Sequence, residues 1–227
     1  MKLVRYEIEE QFVFDCQRIN VLVVENEKIF QQYAFDLFNA INNGIDSGFV
    51  LSDDLDIINL NKVAIMASDF FALSINNKKI ITKLLKRFVE SANDDMQVAE
   101  NYQEICSKMM QLASKFEDMV DFQITYDESF SIEDIIKLLN VKFEEKAFDN
   151  MLDKLIDFIS VASEFSICEI IVFVNIKSYL SEVELKELYK CAQYKKVNLF
   201  LLENCNKTKI EGEKIVIIDE DKCEIVG

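Results

Sequence analysis

The sequence predicts an α/β fold with a parallel-rich sheet and an inserted elongated α-helical segment. The run VLVVENEKIF passes from four apolar residues, Val21 to Val24, to a helical pattern within a few residues. Near the other end, CEIIVFVN and VNLFLLE are two almost wholly apolar runs that flank a capped helix, which is typical of a parallel sheet covered on both faces. Between these parts, apolar residues recur at steps of three and four, which favours helices.

The N-terminal part reads as three short strands followed by a helix. LVRYEIE, FVFDCQ and NVLVVE are the predicted strands. A helix is predicted over about 27–43, where Asn42, Asn43 and Gly44 supply the stop signal. Two short extended pieces follow around 49–51 and 63–67, and 76–91 is helical.

The rest of the chain continues this pattern. Helices are predicted over 94–122, from Ser131 and over 147–163, and strands over 168–175, 197–203, 214–219 and 223–226. Ser131 and Ser181 stand three residues before Asp134 and Glu184, the spacing of a capping box. The predicted organisation is an α/β head formed by 1–89 and 165–227, with a helical leg at 90–164.

The strand-to-helix turn at the first helix is where a nucleotide-binding protein has its phosphate loop. Such a loop needs glycines, for close backbone approach and positive φ, and a Lys–Ser/Thr pair. Here the residues are VENEKI, without a glycine. The strand-to-helix layout of a nucleotide-binding protein is present, but the residues that would bind phosphate are missing.

Composition narrows the functional classes. The 227 residues contain no histidine, which excludes Ser-His and Cys-His hydrolases and His-bound metals. Six cysteines without a CxxC pair indicate neither a zinc site nor a redox dithiol. No signal peptide or membrane span is evident, so a cytoplasmic protein is expected. The net charge of −16 argues against nucleic acid as a partner unless the positive charges are concentrated.

Four strings carry a resemblance to a known family: VLVVENEKIF, IIKLLNVKFE, FVNIKSYLSEVELKELY and VNLFLLE. In this order and spacing the chain resembles the Csn-two family of type II-A CRISPR systems. The resemblance implies a head similar to a degenerate P-loop ATPase that binds no nucleotide, a helical leg and a homotetrameric ring. It further implies stabilisation by Ca²⁺ and threading of double-stranded DNA ends through a lysine-lined hole. The implied role is spacer acquisition in antiviral defence, alongside the integrase proteins and the RNA-guided nuclease of the same system.

A basic stripe fits that role. Between Asp69 and Glu90 the chain has no acidic residue, and helical spacing puts four basic residues on one face: Lys79, Lys83, Lys86 and Arg87. Such a stripe on an acidic protein predicts sequence-independent phosphate contacts. A solvated face, or one paired with acidic neighbours, is the alternative, and a membrane-surface helix is disfavoured by the absence of tryptophan.

By resemblance, Lys62, Lys137 and Lys142 are further candidates to line the ring. Four copies of a few lysines aimed at one channel would make a positive hole in a negative particle. The family pattern is more basic over 46–61 than this chain, whose SDDLDIINLN is acidic. Weaker DNA binding is therefore expected here.

Acidic residues near the end of the long helix are the candidate Ca²⁺ ligands: Glu117, Asp121, Asp127 and Glu128. Calcium takes six to eight oxygen ligands, often from carboxylates. The alternative is ordinary solvated faces and helix caps, and no EF-hand spacing is present.

Two other functional classes stay open. A carboxylate-only nuclease that holds divalent metal, or an NTPase, could be built on the same head, although no compact nuclease motif is found. A helical interaction module without any role in nucleic-acid binding is the second alternative. The favoured reading is a DNA-end-binding protein that is not an enzyme.

Overall fold

This computed structural model describes residues 1–54, 56–127, 129–144 and 146–227. Within them, backbone hydrogen bonds form two β-sheets. The larger sheet has six strands in the order β10-β9-β3-β8-β7-β6, of which all but β10 pair in parallel. These strands are β3 (Ile19–Val24), β6 (Ala64–Ala67), β7 (Ile170–Val174), β8 (Asn198–Glu203), β9 (Glu213–Ile218) and β10 (Glu224–Val226). The predicted α/β fold class with a parallel-rich sheet is confirmed.

The second sheet is antiparallel, with the strand order β2-β1-β4-β5. Its members are β1 (Lys2–Arg5), β2 (Ile8–Val13), β4 (Phe49–Asp53) and β5 (Asp56–Ile58). The predicted strand FVFDCQ is wrong beyond Val13, since β2 ends at this residue and the chain turns through Cys16, whose φ is +60°.

The described residues also form seven α-helices. They are α1 (Glu27–Phe38), α2 (Leu60–Val63), α3 (Lys78–Asn93), α4 (Met96–Glu117), α5 (Ile132–Leu138), α6 (Met151–Glu164) and α7 (Glu182–Tyr194). A π-helical turn at Asn39–Asn43 extends α1 to the predicted stop, where Gly44 has φ +65°. Ser131 and Ser181 form the predicted capping boxes with Asp134 and Glu184.

The chain divides into two compact units, Met1–Ser74 with Lys146–Gly227 and Ile75–Glu145. These edges differ from the sequence boundaries at 89/90 and 164/165. Helix α3 contacts α4 and α5 in the smaller unit, whereas α6 contacts α7 in the larger one. The apolar face of α6, which includes the buried Leu155 and Phe158, belongs to the core of the larger unit.

The core of the larger unit lies on both faces of the parallel sheet. Alternate strand residues such as Leu22, Phe200 and Val216 join one cluster with α1 and the antiparallel sheet. Phe12 packs edge-on against Phe200, with ring centroids 5.0 Å apart. The opposite face is buried as well, since every residue of β3 and β8 is buried. Burial on both faces explains why these strands read as continuous hydrophobic runs.

Candidate nucleic-acid interface

Helix α3 presents its basic residues to solvent. The side chain of Asn77 caps the helix by accepting a hydrogen bond from the backbone N–H of Ile80. Ile80 and Leu84, four residues apart, are buried and fix which face turns inward. The remaining surface exposes all four residues of the predicted stripe: Lys79, Lys83, Lys86 and Arg87. We call these four residues the α3 basic face.

Two candidate lysines of the smaller unit are held by exposed ion pairs. The ammonium of Lys86 lies 3.8 Å from the carboxylate of Glu90. The ammonium of Lys137 lies 2.7 Å from Glu133, and this hydrogen bond raises the pKa of Lys137 above its usual value. Exposed pairs of this kind are weak in water, so both lysines can exchange a carboxylate for a phosphate.

Lys142 lies close to the start of α3, a proximity that the sequence does not reveal. The side chain of Asn76 accepts the backbone N–H of Phe143 at 2.8 Å and donates to its carbonyl at 3.0 Å. Asn76 stands two residues before the start of α3, so this double hydrogen bond holds the segment that carries Lys142 next to that end of the helix. The smaller unit therefore adds an exposed lysine to the end of the helix that carries Lys79.

Lys62 belongs to the larger unit. It occupies the last turn of α2, directly before β6, and is exposed. Its role as a ring-lining residue stays a prediction, as do the roles of the other candidate lysines.

The candidate Ca²⁺ ligands do not form a centre within the described residues. Glu117 is the last residue of α4, and Asp121 and Asp127 follow in exposed chain without regular structure. Glu128 lies outside the described residues. Throughout the ranges given above, no three acid or thiol side chains come close enough to hold a metal ion. A site with three or more carboxylate ligands would therefore need residues outside these ranges or a second copy of the chain.

The turn between β3 and α1 is acidic where a phosphate loop would be rich in glycine. Asn26 caps α1 with its side-chain oxygen 3.3 Å from the backbone nitrogen of Ile29, and its amide donates to the carbonyl of Glu220. Glu27 lies in the first helical turn, next to the positive end of the helix dipole. The negative charge of Glu27 therefore disfavours a nucleotide phosphate at this helix end.

A buried polar network lies on the face of the parallel sheet below α7, and the sequence analysis missed it. The ammonium of Lys177 lies 2.8 Å from Glu213, whose side chain is fully buried. Tyr189 donates its hydroxyl to Glu213 at 2.6 Å, and burial next to this carboxylate raises the pKa of Tyr189. Glu203 accepts the backbone N–H of Lys177 at 3.2 Å, and burial raises the pKa of Glu203 to about 7.

One signal could have indicated part of this network. Glu203 ends the run VNLFLLE, and a carboxylate that closes a wholly apolar strand is expected to be buried with a partner. The partner itself could not be found from spacing, since Lys177 and Glu213 are separated by 36 residues of chain.

Comparison with known proteins gives two findings. A family model described as CRISPR-associated protein (Cas_Csn2) matches residues 42–222. The crystal structure of Stu0660 of Streptococcus thermophilus superimposes with a TM-score of 0.64 at 15% sequence identity, covering 96% of this chain and 75% of that chain. The likeness to this structure concerns the fold. Among the described residues, no helix has the length and apolar character needed to cross a membrane.

Proposed function

Since the chain belongs to the Csn-two family of CRISPR-associated proteins, its function belongs to CRISPR adaptation, and we propose that it binds double-stranded DNA ends without sequence specificity. In this proposal the protein is a homotetrameric ring that encircles the duplex and is not an enzyme. Delivery of the DNA to the integrase proteins and the RNA-guided nuclease of the same system is part of the proposal.

The observation that carries the proposal is the exposed α3 basic face on a chain of net charge −16. Residues 70–89 contain no carboxylate side chain, so the four basic side chains of the face can attract a phosphate backbone. Lysine and arginine contact phosphates without reading base sequence. This is the chemistry that a protein needs in order to bind DNA ends irrespective of sequence.

Apolar side chains of the smaller unit support self-association. Helix α4 has 22 residues and none of them is buried. Large apolar side chains are exposed along α4, after it and at the end of α5: Ile105, Leu112, Phe116, Met119, Val120, Leu138 and Leu139. Exposed apolar surface of this kind marks protein interfaces. A second copy of the chain is the partner that a symmetric ring would supply.

The acidic turn before α1 supports a head that holds no nucleotide. The charge of Glu27 repels phosphate at the start of α1, and the side-chain amide of Asn26 already donates to the carbonyl of Glu220. The larger unit then serves as a scaffold. The nuclease and NTPase alternatives predict turnover of labelled DNA or ATP, which the proposed ring does not perform.

The Ca²⁺ part of the proposal rests on the family resemblance alone. Because the described residues of one chain gather no carboxylate cluster, we place any calcium site where acid side chains of the 117–128 region meet another copy. Calcium would then act on assembly, and chelation should lower the mass of the particle.

A gel shift that compares linear with closed-circular duplex of one sequence tests the proposal. It is run with calcium and with chelator, and the particle mass is measured under each condition. We expect linear DNA to be retained preferentially by a particle of four chains. Equal retention of both forms, or no retention by a monomer, would contradict it.

A charge-reversal pair locates the contact. Lys83→Glu with Arg87→Glu should weaken binding of linear duplex at least tenfold, because two phosphate contacts become repulsive. Lys209→Glu with Lys222→Glu is the matched control, since both lysines are exposed and lie in the larger unit. Equal losses for the two pairs would assign the effect to net charge rather than to the α3 basic face.

A further inference from the structure

The amino ends of three parallel strands form a basic cleft in the larger unit. Strands β6, β7 and β8 pair in the register Ala64 with Ile170 and Ile170 with Asn198. The residues that precede these strands therefore meet at one edge of the sheet. With neighbouring residues they line an open cleft of about 460 Å3, a volume within the range of small-molecule sites.

Three lysines and one carboxylate line this cleft: Lys62, Lys195, Lys196 and Glu169. Within the described ranges, none of the three ammonium groups has a carboxylate within ion-pair distance. The cleft therefore has a net charge of about +2 on a strongly acidic chain. It lies at the sheet edge opposite to the acidic turn between β3 and α1, so it is not a remnant of a phosphate loop.

Backbone hydrogen bonds make the cleft rigid. The backbone N–H of Glu169 donates to Val63 at 2.7 Å, and that of Asn198 donates to Glu169 at 2.9 Å. Helix α7 ends in a Schellman motif in which Lys196 donates to Gln193 and Val197 donates to Ala192. The three lysines are thus carried on backbone that is already fixed before any ligand arrives.

We propose that this cleft binds a phosphate monoester through Lys62, Lys195 and Lys196. A monoester near pH 8 is a dianion, which matches the net charge of the cleft better than the single charge of a phosphodiester. Lysine ammonium groups bind phosphate as point charges. The same chemistry is offered by the 5′-phosphate of a DNA end and by free phosphate. Only the DNA source rests on the proposed function.

The backbone of Lys196 permits a clean test. Lys196 has φ +57° and Lys222, in the turn between β9 and β10, has φ +67°. Glycine adopts this conformation without steric cost. Lys196→Gly therefore removes one ammonium from the cleft and leaves the helix end intact. Lys222→Gly makes the same chemical change at an exposed site that does not line the cleft.

The first measurement is the melting temperature in sodium phosphate against sodium chloride of equal ionic strength at pH 8. A bound anion stabilises the folded state, so the wild type and Lys222→Gly should melt higher in phosphate. Lys196→Gly should lose this shift. An equal shift in all three proteins, or none in the wild type, would overturn the proposal.

The second measurement separates the two sources of phosphate. A short duplex with 5′-phosphate should bind about tenfold more tightly than its 5′-hydroxyl counterpart, and Lys196→Gly should lose this preference. A phosphate-dependent melting shift without the preference would overturn DNA as the source and support free phosphate. Lys83→Glu with Arg87→Glu should weaken binding of both duplexes at least tenfold and keep the melting shift, so failure of the proposed function is recognised separately.

Discussion

One ion pair from each compact unit shows two opposite uses of charged residues. In the larger unit, Lys177 and Glu213 form an ion pair whose side chains are 3% and 0% exposed. In the smaller unit, the pair formed by Lys137 and Glu133 is 54% and 52% exposed. Burial makes a charge dependent on its partner, whereas exposure leaves it available to a ligand. Mutations of the buried pair should therefore affect folding, and mutations of exposed lysines should affect binding.

The largest effect on stability is expected at Glu213. Glu213→Gln leaves the ammonium of Lys177 buried without its countercharge and weakens the acceptor of the Tyr189 hydroxyl. The free energy of unfolding should fall by about 3–5 kcal/mol, measured by urea denaturation. Glu133→Gln is the matched control, because it makes the same change at the exposed pair with Lys137. Its denaturation midpoint should equal that of the wild type, and equal losses in both variants would break the comparison.

A smaller, pH-dependent effect is expected at Glu203. Burial raises the pKa of Glu203 to about 7 in the folded protein, above its value in the unfolded chain. Between these two pKa values the folded state binds more protons, so this group lowers stability as the pH rises to about 7. Glu203→Gln has no ionisable group at this position and therefore avoids this loss of stability. The free energy of unfolding of the variant, relative to that of the wild type, should rise by about 2 kcal/mol between pH 5 and pH 8.5.

Urea denaturation at the two pH values measures this gain. The backbone N–H of Lys177 keeps an acceptor in Glu203→Gln, because the glutamine side-chain oxygen replaces the carboxylate oxygen. An identical difference between wild type and variant at pH 5 and pH 8.5 would show that Glu203 does not titrate in this range.

Features that depend on residues close together in the chain could be predicted from the sequence. The capping boxes of Ser131 and Ser181 were found because they depend on residues three positions apart. The α3 basic face was found for the same reason, since helical spacing decides it. Strands β3 and β8 were recognisable because burial on both faces leaves a continuous apolar run.

Features that depend on distant pairing could not be predicted. The antiparallel sheet joins β1 to β4, so that Lys2 pairs with Ser52, and nothing local encodes this register. The boundary predicted for the helical segment differs from that of the compact units, because the apolar pattern of α6 does not reveal which core the helix joins. The basic cleft lies at the amino ends of β6, β7 and β8, which are far apart in the chain.

The smallest effect on stability is expected on the α3 basic face, where Lys83→Ala removes an exposed charge. The free energy of unfolding should change by less than about 0.5 kcal/mol. The slope of log K against log salt for duplex binding should nevertheless become shallower by about 1, because one fewer counterion is released from the DNA. Lys222→Ala, which removes an exposed lysine from the larger unit, should leave the slope unchanged. If both variants changed the slope equally, binding would depend on the total charge of the protein. The α3 basic face would then not be the DNA-binding surface.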